Sequence, residues 1–383
     1  MSRPGMRKMR VLPQLEGRRG ELEKCVFCPK LCRSACPVSN AEPRETVTPW
    51  GKMSLAWMAA HGDVPADASH AAPAWACTGC MQCRQACDHE NPVADVLLDA
   101  RDALSGRGAM PEGARRVLEG FVAHDRATRE ATTELAAHPR VRGDSREALL
   151  IGCGYVRHAS REARDAVDVA TALTGGPVAL LEGCCGLPLR LAGDREAFAG
   201  HAAAVARSLE GRARLTVVDA GCALAMKQRY AEVGVKLAPR VELLVEQAAG
   251  AVGRMKHVPH TAGPVRWHDP CQLGRGLGVY DAPRAVLARA LGREPDEFHA
   301  HERRELGVCS GAGGLLPSTM PDVARRIASA RLDAHATAGG GHVVTACASS
   351  LLAMRKAVRA RKDPSSIAVD DLVGWIARAL GTR

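Results

Sequence analysis

Cysteine spacing constrains this chain more than any other feature of its sequence. Eight of the fifteen cysteines form two short runs, C-x2-C-x3-C-x3-C-P ending at Pro37 and C-x2-C-x2-C-x3-C ending at Cys87. The total is odd, the opening MSRPGMRKMR lacks the apolar run of a secretory signal, and 383 residues can bury a core without disulfide staples. We therefore expect reduced thiols that hold metal in the cytoplasm.

The spacing within the two runs favours iron–sulfur clusters over zinc. A tight loop can supply three thiolates to a cubane and leaves the fourth to come from elsewhere in the chain. Zinc also binds C-x2-C pairs, but a zinc site requires neither three closely spaced cysteines followed by a fourth nor a proline after Cys36. The extra residue between Cys28 and Cys32 departs from the usual bacterial spacing.

The two runs resemble those of two-cluster ferredoxins, in which the last cysteine of each run ligates the other cluster. The resemblance implies two [4Fe–4S] clusters. The first would be held by Cys25, Cys28, Cys32 and Cys87, and the second by Cys77, Cys80, Cys83 and Cys36. Helix-like sequence between the runs (GKMSLAWMAAHG) predicts a helical ferredoxin-type domain over residues 21–105. His70 and His89 are expected to be ordinary hydrogen-bonded side chains.

The remaining seven cysteines follow short apolar runs that recur along the chain. The step is 38 positions from Cys184 to Cys222, from Cys271 to Cys309 and from Cys309 to Cys347. Short β-branched runs alternate with helical stretches, which predicts parallel strands joined by crossover helices in a duplicated α/β unit. Each of these cysteines is expected at the carboxyl end of a strand, where ligands gather in such sheets.

Two motifs in this region resemble the cysteine-rich, or CCG, domain family. They are Cys184-Cys185-Gly186 and the stretch His268-Asp269-Pro270-Cys271-Gln272-Leu273-Gly274-Arg275. The family includes the catalytic subunits of heterodisulfide reductase and the iron–sulfur subunits of glycolate and glycerol-3-phosphate oxidoreductases. With the upstream cysteines, the resemblance covers nearly the whole chain from Cys25 onward. It implies an α+β protein, in which a helical two-cluster ferredoxin-type domain precedes a duplicated α/β cysteine-rich module with short parallel sheets.

The resemblance implies one cluster per cysteine-rich repeat, but both copies depart from the pattern C…CC-G…C-x2-C. Ala225, Ser310 and Ser350 stand where cysteines are expected. The first repeat keeps four thiols, enough for a third iron–sulfur cluster: Cys153, Cys184, Cys185 and Cys222. The second keeps three, which with Ser310 or His268 would make a poorer, open metal site: Cys271, Cys309 and Cys347.

Domain boundaries follow from these patterns. The predicted parts are a basic tail (1–20), the ferredoxin-type domain (21–105), a helical linker (106–146) and the two repeats (147–258 and 259–383). The tail carries basic residues against the single acid Glu16: Arg3, Arg7, Lys8, Arg10, Arg18 and Arg19. A solvated tail is the simpler interpretation, and contact with an acidic partner or an anionic lipid surface is the alternative.

Function is predicted from the cofactors and from the resemblance. No apolar stretch is long enough for a membrane span, so no transmembrane segment is expected. Nucleic acid is not an expected partner, because no stacking aromatic residues accompany the basic residues. GRGLG at 274–278 follows a cysteine rather than opening a G-x-G-x-x-G helix, so we expect a backbone turn there and no bound flavin.

The resemblance implies an electron-transfer subunit of an oxidoreductase. It would accept electrons from an FAD-containing dehydrogenase subunit and pass them to quinone or another carrier. The expected location is the cytoplasm, and attachment to the inner face of a membrane through a partner is the alternative. No catalytic residue is assigned. The alternatives are disulfide reduction at the CCG cluster, as in heterodisulfide reductase, and a non-enzymatic redox- or metal-sensing interaction protein.

Overall fold

A computed structural model describes residues 8–259, 263–299, 301–364 and 366–383. The chain divides into two compact units. Unit 1 consists of Met1–Phe121, Pro188–Ala197 and Cys309–Ala328, and unit 2 of Val122–Leu187, Phe198–Val308 and Ser329–Arg383. In order along the chain, a helical N-terminal part precedes two short parallel sheets, which confirms the predicted α+β class.

Helices make up most of the described secondary structure. The α-helices are α1 Arg19–Val26, α2 Pro37–Ala41, α3 Pro49–His61, α4 Ala68–Trp75, α5 Gln82–Gln85, α6 Val93–Ser105, α7 Glu112–Glu119, α8 Phe121–Ala136, α9 Cys153–His158, α10 Ser160–Thr174, α11 Leu187–Ala192, α12 Arg195–Ser208, α13 Ala220–Leu224, α14 Tyr230–Glu232, α15 Leu244–Gly250, α16 Asp281–Leu291, α17 Leu316–Thr319, α18 Pro321–Thr337, α19 Ala348–Arg359 and α20 Leu372–Leu380. Short 3-10 turns lie at Pro13–Arg18, Leu31–Arg33, Glu45–Val47, Val252–Arg254 and Arg304–Leu306, and π turns at Ala225–Arg229 and Gln272–Gly276.

Two parallel sheets lie in unit 2. Their strands are β1 Glu147–Leu150, β2 Ala179–Leu180, β3 Arg214–Val217 and β4 Arg240–Leu243 in the first sheet, and β5 Val265–Trp267, β6 Gly341–Thr345 and β7 Ile367–Asp371 in the second. The orders are β2-β1-β3-β4 and β5-β6-β7, with registers such as Leu149 opposite Thr216 and Val343 opposite Val369. The strands β5, β6 and β7 thus repeat the arrangement of β1, β3 and β4, and the second sheet has no counterpart of β2 among the described residues.

The prediction that every dispersed cysteine follows a strand is wrong for Cys309. The residues before it form the 3-10 turn Arg304–Leu306, and a single parallel bridge between Arg266 and Asp296 stands beside β5. A glycine at 307 and the polar run HERRE before it break the apolar pattern that a buried parallel strand needs.

Local sequence explains where the helices of unit 1 begin and end. Thr48 caps α3 by accepting a hydrogen bond from the Gly51 amide, Pro49 occupies the first turn, and Gly62 ends the helix with a φ of 81°. Asp67 caps α4 in the same way through the amides of Ser69 and His70. These caps fix both ends of α3 and the start of α4, the two longest helices between the cysteine runs.

The segment predicted as a basic tail is not a solvated tail where the structure describes it. Residues 1–7, with Arg3 and Arg7, lie outside the described residues. Leu12 and Leu15 are fully buried in the core of unit 1 beside α3 and α6. Arg18 is paired with Asp99 at 2.8 Å. The apolar residues between the basic ones give this segment a face to bury.

Two segments that the sequence assigned to the cysteine-rich repeats belong to unit 1. Arg101, which is 2% exposed, ties them to the helices by donating to the backbone carbonyls of Ala74, Cys77, Leu191 and Gly314 at 2.9–3.1 Å. A Cβ at Gly313 or Gly314 would overlap the backbone of Thr78 or Cys77, so these glycines allow the loop after Cys309 to lie against the second cysteine run.

Replacing Arg101 with methionine should therefore loosen both segments. Four carbonyls, two of them in fully buried hydrogen bonds, would lose their donor, and we expect unit 1 to be destabilised by about 2–4 kcal/mol. Hydrogen exchange followed by mass spectrometry should show faster exchange at 188–197 and 309–328. Arg116→Met is the matched control, since Arg116 is exposed on α7 and pairs with the exposed Glu112 on the same helix. Equal exchange in the Arg101 variant and the wild type would contradict this role.

Candidate iron–sulfur sites

One small cavity of unit 1 is lined by five thiols from both cysteine runs, among them the four predicted ligands of the first cluster. Cys25 comes from α1, Cys28 and Cys32 from the turn that follows, and Cys87 from the end of the second run. Asn91 is 2% exposed and donates from Nδ2 to the Cys25 sulfur at 3.0 Å and to the Glu21 carbonyl at 2.8 Å. The four predicted ligands of the first cluster therefore share one cavity.

A second cavity of unit 1 is lined by the other four thiols of the two runs: Cys36, Cys77, Cys80 and Cys83. Lys52 from α3 also lines it, and its Nζ lies 3.6 Å from the Cys36 sulfur. The loop that carries Cys77 and Cys80 turns through Gly79 and Met81, both with positive φ. Cys83 lines both cavities, so the two sites are immediate neighbours.

The electrostatics of these cavities suit a cationic metal core. Burial raises the pKa of Cys25 to about 12 and that of Cys32 to about 11, so the thiols lose their protons only when a metal replaces them. Burial opposes the charge of Lys52, but the surrounding thiols, Cys36 first, outweigh it and hold the ammonium pKa above its usual value. Eight soft sulfur donors, buried or half-buried, fit iron–sulfur clusters.

A third group of thiols lies in unit 2, where three parallel strands of the first sheet end. Cys153 begins α9 after β1, the pair Cys184-Cys185 follows β2, and Cys222 lies in α13 after β3. The Cys184 thiol contacts those of Cys153 and Cys185, and Cys185 contacts Cys222. The four predicted ligands of the first repeat are therefore contiguous, and burial contributes to raising the pKa of each.

Glycines make the close approach in this group possible. Gly152 and Gly186 have φ values of 106° and 81°. A Cβ at Gly152 would lie 2.8 Å from the Asp219 side chain, and one at Gly186 would lie 2.7 Å from the His201 ring. Side chains at either position would push the cysteine loops apart.

Four side chains that the sequence analysis missed hold these cysteine loops. Asp125 of α8 accepts from the Cys184 amide at 2.7 Å, and His201 bonds the Cys184 carbonyl at 2.8 Å. Tyr230 donates to the Cys185 carbonyl at 2.9 Å, and Asp219 caps α13 through the amides of Gly221 and Cys222. Only Asp219 carries a local signal, because a capping aspartate three residues before a cysteine is recognisable in sequence.

The second-repeat set is divided between the two units. Cys271, at the start of a π turn, and Cys347, at the N-cap of α19, belong to unit 2, as does His268. Cys309 and Ser310 belong to unit 1, where the Gly311 amide donates to the Cys309 sulfur at 3.3 Å. The set Cys271, Cys309 and Cys347 with Ser310 or His268 therefore stays a prediction.

The structure describes the surroundings of the three histidines and of the glycine-rich stretch singled out in the sequence. His268 is 1% exposed and packs edge-on against Phe298, while His70 bonds Asp67 at the start of α4. His89 is exposed at the rim of the first cavity. In GRGLG, a Cβ at Gly274 would overlap the Tyr280 ring, so close packing accounts for this glycine.

Comparison with known proteins covers both parts of the chain. Residues 21–91 match the 4Fe-4S dicluster domain family, and residues 148–227 and 265–355 match the cysteine-rich domain family. These matches confirm the predicted two-cluster 4Fe–4S domain and the duplicated cysteine-rich module. Among the described residues, no helix combines the length and the apolar character that crossing a membrane requires.

Several curated relatives align over most of the chain. A fumarate reductase (CoM/CoB) subunit of Methanothermobacter marburgensis is 26% identical over 85% of this chain and 66% of its own length. A dihydromethanophenazine:CoB–CoM heterodisulfide reductase subunit of Methanosarcina barkeri is 26% identical over 80% and 77%. The probable iron-sulfur-binding oxidoreductase FadF of Bacillus subtilis is 24% identical over 80% and 46%. The chain thus spans roughly half to three quarters of these relatives, which are iron–sulfur or oxidoreductase proteins by name.

Replacing Lys52 with methionine should lower the midpoint potential of the cluster in the second cavity. A buried positive charge beside a cysteine ligand stabilises the reduced, more negative cluster by about 1–3 kcal/mol, which corresponds to roughly 40–130 mV for a one-electron couple. A redox titration followed by EPR measures the shift. Lys24→Met, at an exposed position of α1, should leave this potential in place. An unchanged potential in the Lys52 variant would exclude this role.

Neutral His268 should make the stability of the protein depend on pH in the acid range. Burial, with Arg331 nearby, lowers the pKa of His268 from 6.5 to about 3. The folded state therefore disfavours the proton that the unfolded chain binds, and stability falls as pH drops from 6.5 towards 3, by about 1.4 kcal/mol per pH unit. His268→Gln should flatten this dependence in urea unfolding, whereas His158→Gln, at an exposed site, should not. Parallel pH profiles for wild type and His268→Gln would refute the assignment.

Proposed function

Since this chain belongs to the iron–sulfur proteins that join a 4Fe–4S dicluster domain to a duplicated cysteine-rich domain, we propose that it is the electron-transfer subunit of a flavin-linked oxidoreductase complex. The observation that carries the proposal is the pair of adjacent thiol cavities with Cys83 in the wall of both. Neighbouring one-electron centres suit a protein that passes electrons between partners.

The proposed ligand sets follow the cavities. Cys25, Cys28, Cys32 and Cys87 would hold the first [4Fe–4S] cluster, and Cys36, Cys77, Cys80 and Cys83 the second. Bound clusters would supply one-electron redox chemistry. The chain's own residues supply the thiolates and limit the access of water. Lys52 places a positive charge beside Cys36, and the Asn91 amide donates a hydrogen bond to the Cys25 sulfur.

A third cluster is proposed in the first cysteine-rich repeat, on Cys153, Cys184, Cys185 and Cys222. Its support is the chain of contacts between these four thiols at the ends of β1, β2 and β3. The hydrogen bonds of Asp125, His201 and Tyr230 to the Cys184-Cys185 backbone would keep these two sulfurs in position without occupying them.

The partners are proposed on the same basis. Three relatives carry names of oxidoreductases or of their subunits, which supports a function inside a larger complex. We propose that an FAD-containing dehydrogenase subunit oxidises the substrate and that quinone or another carrier takes the electrons. Attachment to the inner face of a membrane would then come from a partner subunit.

Reduction of a disulfide is the second candidate function. Its support is the alignment with a heterodisulfide reductase subunit over 80% of this chain. Against it, Ala225, Ser310 and Ser350 replace cysteines that the complete family pattern contains. A thiol released stoichiometrically from a disulfide substrate, with a radical signal at a cluster, would favour this candidate over electron relay.

Cys80→Ala tests the relay. Loss of one thiolate from the second cavity should remove one cluster signal from the EPR spectrum and stop electron transfer to the acceptor, while the flavin of the partner stays reducible by substrate. Cys347→Ala, which removes an equally buried thiol outside both cavities, should keep both dicluster signals. Full electron transfer by the Cys80 variant, or colourless wild-type protein that contains zinc, would overturn the proposal.

A further inference from the structure

His124 of α8 faces the thiols of the first repeat, although it belongs to neither cysteine pattern. The ligand atoms of His124, Cys153 and Cys184 all lie within 4.8 Å of one another. The nearby His124 ring also favours the thiolate form of Cys153. A histidine at this distance from a cluster could act in two ways, as a ligand or as a hydrogen-bond donor to a sulfur.

Arg157 decides between these two roles. Its Nη1 lies 2.7 Å from His124 Nδ1. A guanidinium has no acceptor, so Nδ1 must accept this hydrogen bond with its lone pair. With Nδ1 accepting, the ring proton is on Nε2, which is shielded from solvent. An N–H nitrogen has no lone pair for iron, whereas it can donate to a thiolate.

The position of the ring is fixed by the rest of α8. Asp125, the next residue, accepts from the Cys184 amide at 2.7 Å and pairs with Arg129 at 2.9 Å. A Cβ at Gly183 would lie 2.7 Å from the Asp125 carboxylate, so the loop and the helix are in close contact. The helix therefore holds His124 and Cys184 in one arrangement.

We infer that His124 is a positioning residue that, with the cluster bound, would donate an Nε2–H hydrogen bond to the Cys153 sulfur and thereby raise the reduction potential of the first-repeat cluster, with Arg157 fixing the tautomer. This inference rests on the proposed third cluster. Reduction makes a cluster more negative, so a hydrogen bond to one of its sulfurs stabilises the reduced form more than the oxidised form.

The test is a redox titration of anaerobically purified protein, with EPR of each cluster. His124→Phe should lower the midpoint of the first-repeat cluster, with the reduced-to-oxidised ratio at fixed potential falling on the order of tenfold, or about 59 mV for a one-electron couple. His124→Gln, which can place an amide N–H near the position of Nε2, should restore most of it. His158→Phe is the matched control and should leave the midpoint unchanged, because His158 is exposed on α9.

A second pair of variants tests the inference if the His124→Phe protein does not assemble the first-repeat cluster. Arg157→Met removes the donor to Nδ1 and should lower the same midpoint, whereas Arg157→Lys keeps a donor and should lower it less. Pulsed EPR of wild-type protein with ¹⁵N-labelled histidine should detect the weak coupling of a hydrogen-bonded ring. The strong coupling of a directly bound nitrogen would overturn the inference.

Iron analysis separates this inference from the proposed function. About twelve irons per chain, with a midpoint that does not respond to His124→Phe or to Arg157→Met, would overturn the role of His124 and leave the third cluster standing. About eight irons in wild-type protein would remove the third cluster itself, and the role of His124 with it.

Discussion

Buried thiols need a partner that compensates the negative charge they acquire when they bind metal. Eight cysteines of unit 1 and four of unit 2 lie in small groups of buried and half-buried thiols, and burial raises the pKa of thiols in each group. The neighbouring groups differ between sites: the Lys52 ammonium lies beside Cys36, the Asn91 amide donates to Cys25, and the His124 ring lies near Cys153. These neighbours, more than the cysteines themselves, distinguish one site from another.

This requirement also explains features of the backbone. The second cysteine run packs against the loop after Cys309, where Gly313 and Gly314 leave room and Arg101 donates to carbonyls of both segments. In the first repeat, Gly152 and Gly186 allow the loops to approach, and side chains from three helices hold the carbonyls and amides of the Cys184-Cys185 pair. Side chains bind the backbone of the loops, which leaves the sulfurs available.

Sequence reasoning succeeded where a ligand pattern or a strand pattern is local. Cysteine spacing predicted the dicluster domain, and apolar runs before Cys153, Cys222 and Cys347 predicted strands that the structure contains. It failed where partners are far apart in the chain. Nothing near His124 indicates that α8 lies against Cys153, and nothing near Gly313 indicates a contact with Thr78. The basic residues near the N-terminus favoured a solvated tail, but Leu12 and Leu15 are buried against helices that come much later in the chain.

An iron anomalous diffraction map of crystals grown from the anaerobically purified chain tests the central claim most directly. The account predicts two four-iron sites in unit 1, with the sulfur of Cys87 bound to the site of Cys25, Cys28 and Cys32, and the sulfur of Cys36 bound to the site of Cys77, Cys80 and Cys83. A map in which Cys36 and Cys87 bind the irons of their own runs, or in which the cavities hold single zinc ions, would contradict it.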